Sequence, residues 1–256
     1  MKRMSLVLWA AITFLFGSVD SNVVRAAELK VLTSVALTSV LDELAPMFEK
    51  ATGTKLSIDY NLIAAQRKRI LEGESGDVII LSRGVMEELQ RQDKLAAGGL
   101  VNVAGTPVSL AARAGTPKPD IGTADAFKQT LLNARSIVYA DPAKGGASGV
   151  YFARVLDRLG IAELMKAKTI LVPGAQAAEV VAKGEAELGV AQASEIVPVP
   201  GAQLVGPFPG EFASMTVFTA GIGAGSKSAD PAKDLLKFLT GADAAARFKA
   251  KGFEPG

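Results

Sequence analysis

Short apolar runs of strand length alternate along this chain with longer segments whose apolar residues recur at helical spacing, which restricts the fold to layered α/β architecture with parallel strands. Leu29–Thr33 reads as a strand, and the Leu37–Ala51 segment places Leu37, Val40, Leu41, Leu44 and Phe48 on one helical face. Lys55–Tyr60 is a second strand and Ala64–Leu71 a basic helix. Asp77–Leu81 (DVIIL) is the nearly continuous apolar run of a central strand covered on both sides, followed by a helix over Val85–Arg91. A strand at Val108–Arg113 then enters a Gly/Pro-rich stretch, Ala114–Gly122, which reads as a lobe boundary. A second series follows, with helices at Asp125–Asn133, Ser148–Leu159 and Ala175–Lys183 between strands at Ser136–Ala140, Thr169–Val172, Glu187–Gln192 and Gln203–Val205. A strand over Ser214–Ile222 and helices over Pro231–Leu239 and Asp243–Lys251 close the chain. If those helices return to the first series, the chain forms two lobes, residues 27–107 plus 216–256 and residues 108–215, with a ligand cleft between them.

Residues 1–26 are set apart by composition: Lys2 and Arg3, then the apolar run Met4–Phe16, then Val24-Arg25-Ala26. That order is a secretory signal peptide cleaved near Ala26, because the apolar run falls short of the roughly 20 residues of a membrane span. Periplasmic localisation follows as an expectation. Lys2, Arg3, Arg25 and Asp20 leave with the leader, so the remaining chain carries 25 basic and 25 acidic side chains. This neutral balance argues against a nucleic-acid partner. The chain has no histidine and no cysteine, which excludes thiolate nucleophiles, disulfides, His-based metal sites and Ser-His-Asp chemistry. Gly221-Ile222-Gly223-Ala224-Gly225 does not complete a dinucleotide fingerprint, so no cofactor and no metal are expected.

Ligand candidates lie where strands exit into helices. Asp141-Pro142-Ala143-Lys144-Gly145-Gly146-Ala147-Ser148-Gly149-Val150-Tyr151 passes through glycines straight into an amphipathic helix. Unpaired amides at Ala147, Ser148 and Gly149 would face an anion there; the alternative is an ordinary loop with Ser148 capping the helix. Thr33-Ser34-Val35-Ala36 is a similar exit, with Ser34 and Ala36 as candidates against a simple cap. Gln66 or Arg67 at the third exit either reaches the cleft or belongs to a solvated face. Arg83, after the DVIIL strand, and Arg113, at the presumed crossover, suit a carboxylate or oxyanion, or else form surface ion pairs. Gln192 ends another central strand as a neutral donor, while Asp141, Lys144 and Glu195 are the charged groups able to approach one cleft; no catalytic base is assigned among them.

Leu29-Lys30-Val31-Leu32-Thr33, Ala36-Leu37-Thr38, Gly73-Glu74-Ser75-Gly76-Asp77-Val78, Gly149-Val150-Tyr151 and Gly184-Glu185-Ala186-Glu187-Leu188-Gly189-Val190 occur in an order and spacing that resembles the molybdate-binding-protein-like type II periplasmic solute-binding proteins. The resemblance spans essentially the whole chain after the leader. It implies the type II periplasmic-binding-protein fold, a small anionic ligand held between two lobes, an ABC permease partner in the inner membrane, and a monomer. Departures stand at Ala36, at Leu62, Ile63 and Ala64, and at Gln192, where molybdate binders of this family offer serines and a tyrosine. Lys118–Ile121, Ala147–Tyr151 and Glu195–Gly201 also look like the branch that includes periplasmic aconitate isomerase. That branch implies a small polycarboxylate ligand and, as the alternative to transport, isomerisation of an unsaturated tricarboxylate by a base that moves an allylic proton.

Overall fold

The computed structural model describes residues 28–255, and the leader read over residues 1–26 lies outside them. The first half runs β1 (Glu28–Ser34), α1 (Thr38–Thr52), β2 (Lys55–Asn61), α2 (Ile63–Leu71), β3 (Val78–Ser82), α3 (Arg83–Arg91) and β4 (Val101–Arg113). The second half continues with α4 (Ala124–Asn133), β5 (Ile137–Ala140), α5 (Ala147–Arg158), α6 (Ala162–Lys166), β6 (Thr169–Val172), α7 (Ala177–Ala182), β7 (Leu188–Gln192), α8 (Ala193–Ile196) and β8 (Ala202–Pro207). β9 (Met215–Ile222), α9 (Ala229–Leu239), α10 (Ala242–Ala250) and β10 (Glu254–Pro255) complete the described chain. The sheet order is β2-β1-β3-β9-β4-β7-β5-β6, with β8 and β10 also paired to β4. β1, β2 and β3 are parallel to one another, as are β5, β6 and β7, while β4 and β9 run antiparallel to their neighbours.

β3 shows why an almost unbroken apolar run was required there. Val78 and Ile80 enter a core with Phe48, Phe218, Leu235 and Phe248, while Ile79 and Leu81 point to the opposite face with Leu32, Met86 and Leu89. Alternation across a pleated strand gives two buried faces. The second half repeats the arrangement: Tyr139 packs with Phe127, Phe152, Val190 and Phe208, and the intervening Val138 packs with Ala178 and Val181. No helix of the described residues is long and apolar enough to cross a membrane.

The strand at the crossing is longer than in the sequence reading. β4 is one strand over Val101–Arg113, where a strand was expected only from Val108. Val101 to Pro107 pair with β9, and from Val108 onward the partners are β7 and β8. The exchange therefore falls at Pro107, which has no N–H to donate to a ladder. Val108 also bonds the returning chain: its N–H donates to the Ser214 carbonyl at 2.9 Å and its carbonyl accepts from Phe208 N–H at 3.2 Å. The Gly/Pro-rich Ala114–Gly122 segment lies beyond the crossing, on the far side of the second half.

Candidate functional site

The carboxyl ends of β1, β2, β5, β6 and β7 converge on one small cavity, as the open α/β rule requires. Ser34, Val35, Ala36, Leu62 and Ile63 line it from the first lobe; Ala140, Gly146, Ala147, Ser148, Gly174, Ala175, Gln192 and Glu195 line it from the second. Its free volume is ≈20 Å³. That is room for about one water molecule.

α5 presents its amino end to the cavity. Gly146 is its N-cap and offers no side-chain hydrogen bond, so Ser148 lies inside the first turn and does not cap the helix. The N–H groups of Ala147, Ser148 and Gly149 find no acceptor among the described residues, and the first satisfied amide is that of Val150, which donates to the Gly146 carbonyl at 2.9 Å. The helix start is held at the exit of β5 by close approach: a Cβ on Gly149 would lie 1.8 Å from the Ala140 carbonyl oxygen, and one on Gly146 would lie 2.6 Å from Ala140 Cβ. These glycines are there for backbone proximity.

Ser34 caps the turn after β1, its Oγ accepting from Ala36 N–H at 3.3 Å, which leaves its own proton free to donate. The Ala36 amide is engaged by that cap, so Ala36 contributes its methyl group to the wall. Gln192, only 2% exposed, ends β7, and its main-chain N–H donates to Glu195 Oε2 at 3.0 Å. The exchange is reciprocal, the Gln192 side chain facing the Glu195 N–H in a capping box, while the hydroxyl of Ser194 is buried without a hydrogen-bond partner among the described residues. Glu195 is the ionisable residue of the lining. Its side chain is partly covered by residue surface, but the carboxyl itself is deeply enclosed, and burial pushes it up to about 7; the Gln192 N–H opposes the shift and the Glu179 carboxylate adds to it.

The two arginines lie elsewhere. Arg83 opens α3 with its guanidinium paired one turn on to Glu87 at 3.0 Å, outside the cavity. Arg113 ends β4, which runs antiparallel to β7, so it sits by the amino end of β7, the opposite edge from the cleft. There it lines a separate hollow of ≈710 Å³ with Thr116, Asp120, Arg135 and Glu187. Asp141 accepts from Ala143 N–H at 2.9 Å, Lys144 is exposed, and neither lines the cavity. Arg67 pairs with Glu88 at 2.5 Å, and buried Gln66 donates to the Asp59 carbonyl at 2.8 Å, tying α2 to β2. The cavity therefore brings together Ser34, Ala36, Ala147, Ser148 and Gln192 of the sequence candidates, with Gly149 supplying the backbone behind them. Its lining carries no Lys or Arg. α8, four residues long, fixes Glu195, and so short a helix leaves no periodicity to read.

Residues 29–254 match the family described as bacterial extracellular solute-binding protein. An aconitate isomerase from Pseudomonas sp is 35% identical over 233 residues, 89% of this chain and 87% of that protein. A molybdate-binding protein from Azotobacter vinelandii is 30% identical over 177 residues, 67% of each chain. Among solved structures, the Azotobacter vinelandii periplasmic molybdate-binding protein superposes with a TM-score of 0.71 at 22% identity, covering 88% of this chain and 98% of that one.

Proposed function

The chain belongs to the bacterial extracellular solute-binding proteins, and on that premise we propose that it is an exported receptor whose two lobes, residues 27–107 plus 216–256 and residues 108–215, close over a small carboxylate anion for delivery to an ABC-type permease. The observation that carries this reading is the set of unpaired amides at Ala147, Ser148 and Gly149, facing Ser34 across a cavity with no cation in its lining. Neutral dipoles at a helix start hold an anion without requiring a counter-charge. Ala36, Leu62 and Ile63 give the first-lobe wall an apolar character that suits the carbon skeleton of an organic acid better than the oxygens of molybdate. The 35% identity to a protein named aconitate isomerase supports a polycarboxylate as the ligand class. Export rests on the leader at residues 1–26, and a single chain suffices for the site.

A second reading has its own observation. Glu195 is a carboxyl inside the cavity that gains and loses its proton near neutrality. Such a group could remove a proton from a CH₂ beside a double bond and return it at the far allylic carbon, shifting the double bond with no cofactor and no net consumption of protons. This would make the protein an isomerase on the same scaffold.

Dye-based thermal denaturation against molybdate, sulfate, phosphate, citrate, tricarballylate and both aconitates separates the ligand classes. A ligand at a hundred times its dissociation constant contributes about 2.7 kcal/mol, or roughly 5–10 °C. A shift with tricarboxylates is the expected result, and a shift confined to molybdate would overturn the carboxylate reading. Incubation with cis-aconitate then distinguishes receptor from isomerase by the presence of the trans isomer. Ser148→Ala is expected to weaken binding by about 0.5–1.5 kcal/mol, roughly 2- to 10-fold, when its hydroxyl donates to the ligand. Unchanged affinity would assign the site to the backbone amides alone.

A further inference from the structure

We propose that the cavity captures its anion together with a proton, held between the ligand and the Glu195 carboxyl, so that Glu195 sets which protonation state of a ligand the site accepts. This rests on the reading of the cavity as an anion site and deepens it.

Three features of the geometry lead here. The first is isolation: Glu195 is the one ionisable side chain lining the cavity, and it makes no ion pair among the described residues. The second is an excess of acceptors around it. Gln192 N–H occupies Glu195 Oε2, no donor among the described residues reaches Oε1, and the nearby Glu179 Oε2 is buried without a donor among them. A corner rich in lone pairs and poor in N–H and O–H groups is stabilised by one added proton. The third is the absence of compensating charge. β7, β8 and the turn at Val35–Leu37, all packed on α8, carry no ionisable side chain, and β4 carries only Arg113, at its far end. The Gly252 turn, packed on Ala193, has Lys251 beside it, and that lysine is paired with Glu43. Glu179 on α7 adds negative charge, and Asp141 and Lys144 are outside the lining.

An ionised Glu195 and a fully deprotonated ligand would then be two like charges in one poorly solvated space. The neutral acid reverses this, donating its proton to a ligand oxygen as the amides of α5 do from the other side. The burial of the carboxyl, which raises it toward neutrality, places the exchange in the range where an exported protein operates. One proton should therefore accompany each anion at pH 8 and none at pH 5.5.

The test is isothermal titration of the full chain after the leader with cis-aconitate and, separately, with molybdate, from pH 5.5 to 9, at pH 8 in two buffers of different ionisation heat. The expected result is a dissociation constant that is flat below about pH 6.5 and rises about tenfold per unit above pH 7.5, with close to one proton taken up. Glu195→Gln keeps the acceptor for Gln192 N–H and a permanent donor, so its affinity should stay flat to pH 9 with no proton uptake. A pH-independent wild type, or a slope that Glu195→Gln retains, overturns the proposal while leaving the anion site standing. Binding of neither probe at any pH removes the anion reading and this proposal with it. If Glu195→Gln does not fold, the two-buffer comparison on the wild type decides alone, zero protons overturning it.

Discussion

Replacing Gly149 by alanine is expected to lower the unfolding midpoint by several degrees and to abolish capture of the anion proposed for this cavity. The added Cβ would sit 1.8 Å from the Ala140 carbonyl oxygen and 2.8 Å from its carbon, and both are main chain that no rotamer change can move. Either α5 slides away from β5 or the strand end is pushed aside. Overpacking of this kind costs about 3 kcal/mol, which for a chain of this size corresponds to roughly 6–12 °C. Either displacement moves the amides of Ala147 and Ser148, so binding fails together with stability. Gly84→Ala in α3 is the control: nothing lies within 4 Å of its new methyl, and its midpoint should stay level or rise slightly. A Gly149→Ala protein with unchanged midpoint and affinity would mean that the helix start is not held against the strand.

The second large effect concerns the ligand-free protein. Glu195 is raised from 4.5 to about 7 in the folded state, mainly by burial, so between those values the folded chain keeps a proton that the unfolded chain has lost. Stability from this group is therefore greatest at the acid end, declines as pH climbs from about 4.5 to 7, and is level above that. At 1.36 kcal/mol per unit the interval from 4.5 to about 7 corresponds to a loss of up to ~3 kcal/mol by pH 8. Glu195→Gln removes the ionisation, so at pH 8 the variant should melt several degrees above the wild type, and at pH 4.5 the two should converge. Denaturation curves at the two pH values decide it. An equal difference at both would show that amide substitution acts through packing and not through charge.

What could be read from the residues depended on whether a feature had a period or a direction. DVIIL announced a doubly covered strand because four apolar positions in a row leave neither face of a strand to solvent, and those four do divide between two cores. Strand carboxyl ends pointed to Ser34, Ala36, Ala147, Ser148 and Gln192, since the open-sheet rule is a matter of chain direction. α6, α8 and β10 left no trace, being five, four and two residues long. The loss of α8 concealed the position of Glu195, which was named among several charged groups without a way to single it out. Gly105 and Pro107 look like strand breakers, but β4 runs through both; there Gly105 lies against Met215 and Pro107 sits where the strand needs no donor. Starting the strand at Val108 hid how far Arg113, at the other end of β4, lies from the point where the partners change. Arg83 carried its own answer in Glu87, four positions along the same helix.

The unbroken course of β4 also decides how the two lobes can move. A tether of loose loops would let them swivel in any direction, whereas a strand bonded on both sides behaves like a leaf spring, soft across its flat face and stiff to stretching and shear. The returning segment at Phe208–Ser214 is bonded to Val108, so both crossings share one fulcrum. Pro107 sits at that point without an N–H to donate, so one bond fewer stiffens the strand there. Any opening of the cavity mouth about this point would leave each half's own sheet intact and bring Ser34 and the amides of α5 back to the same mutual register.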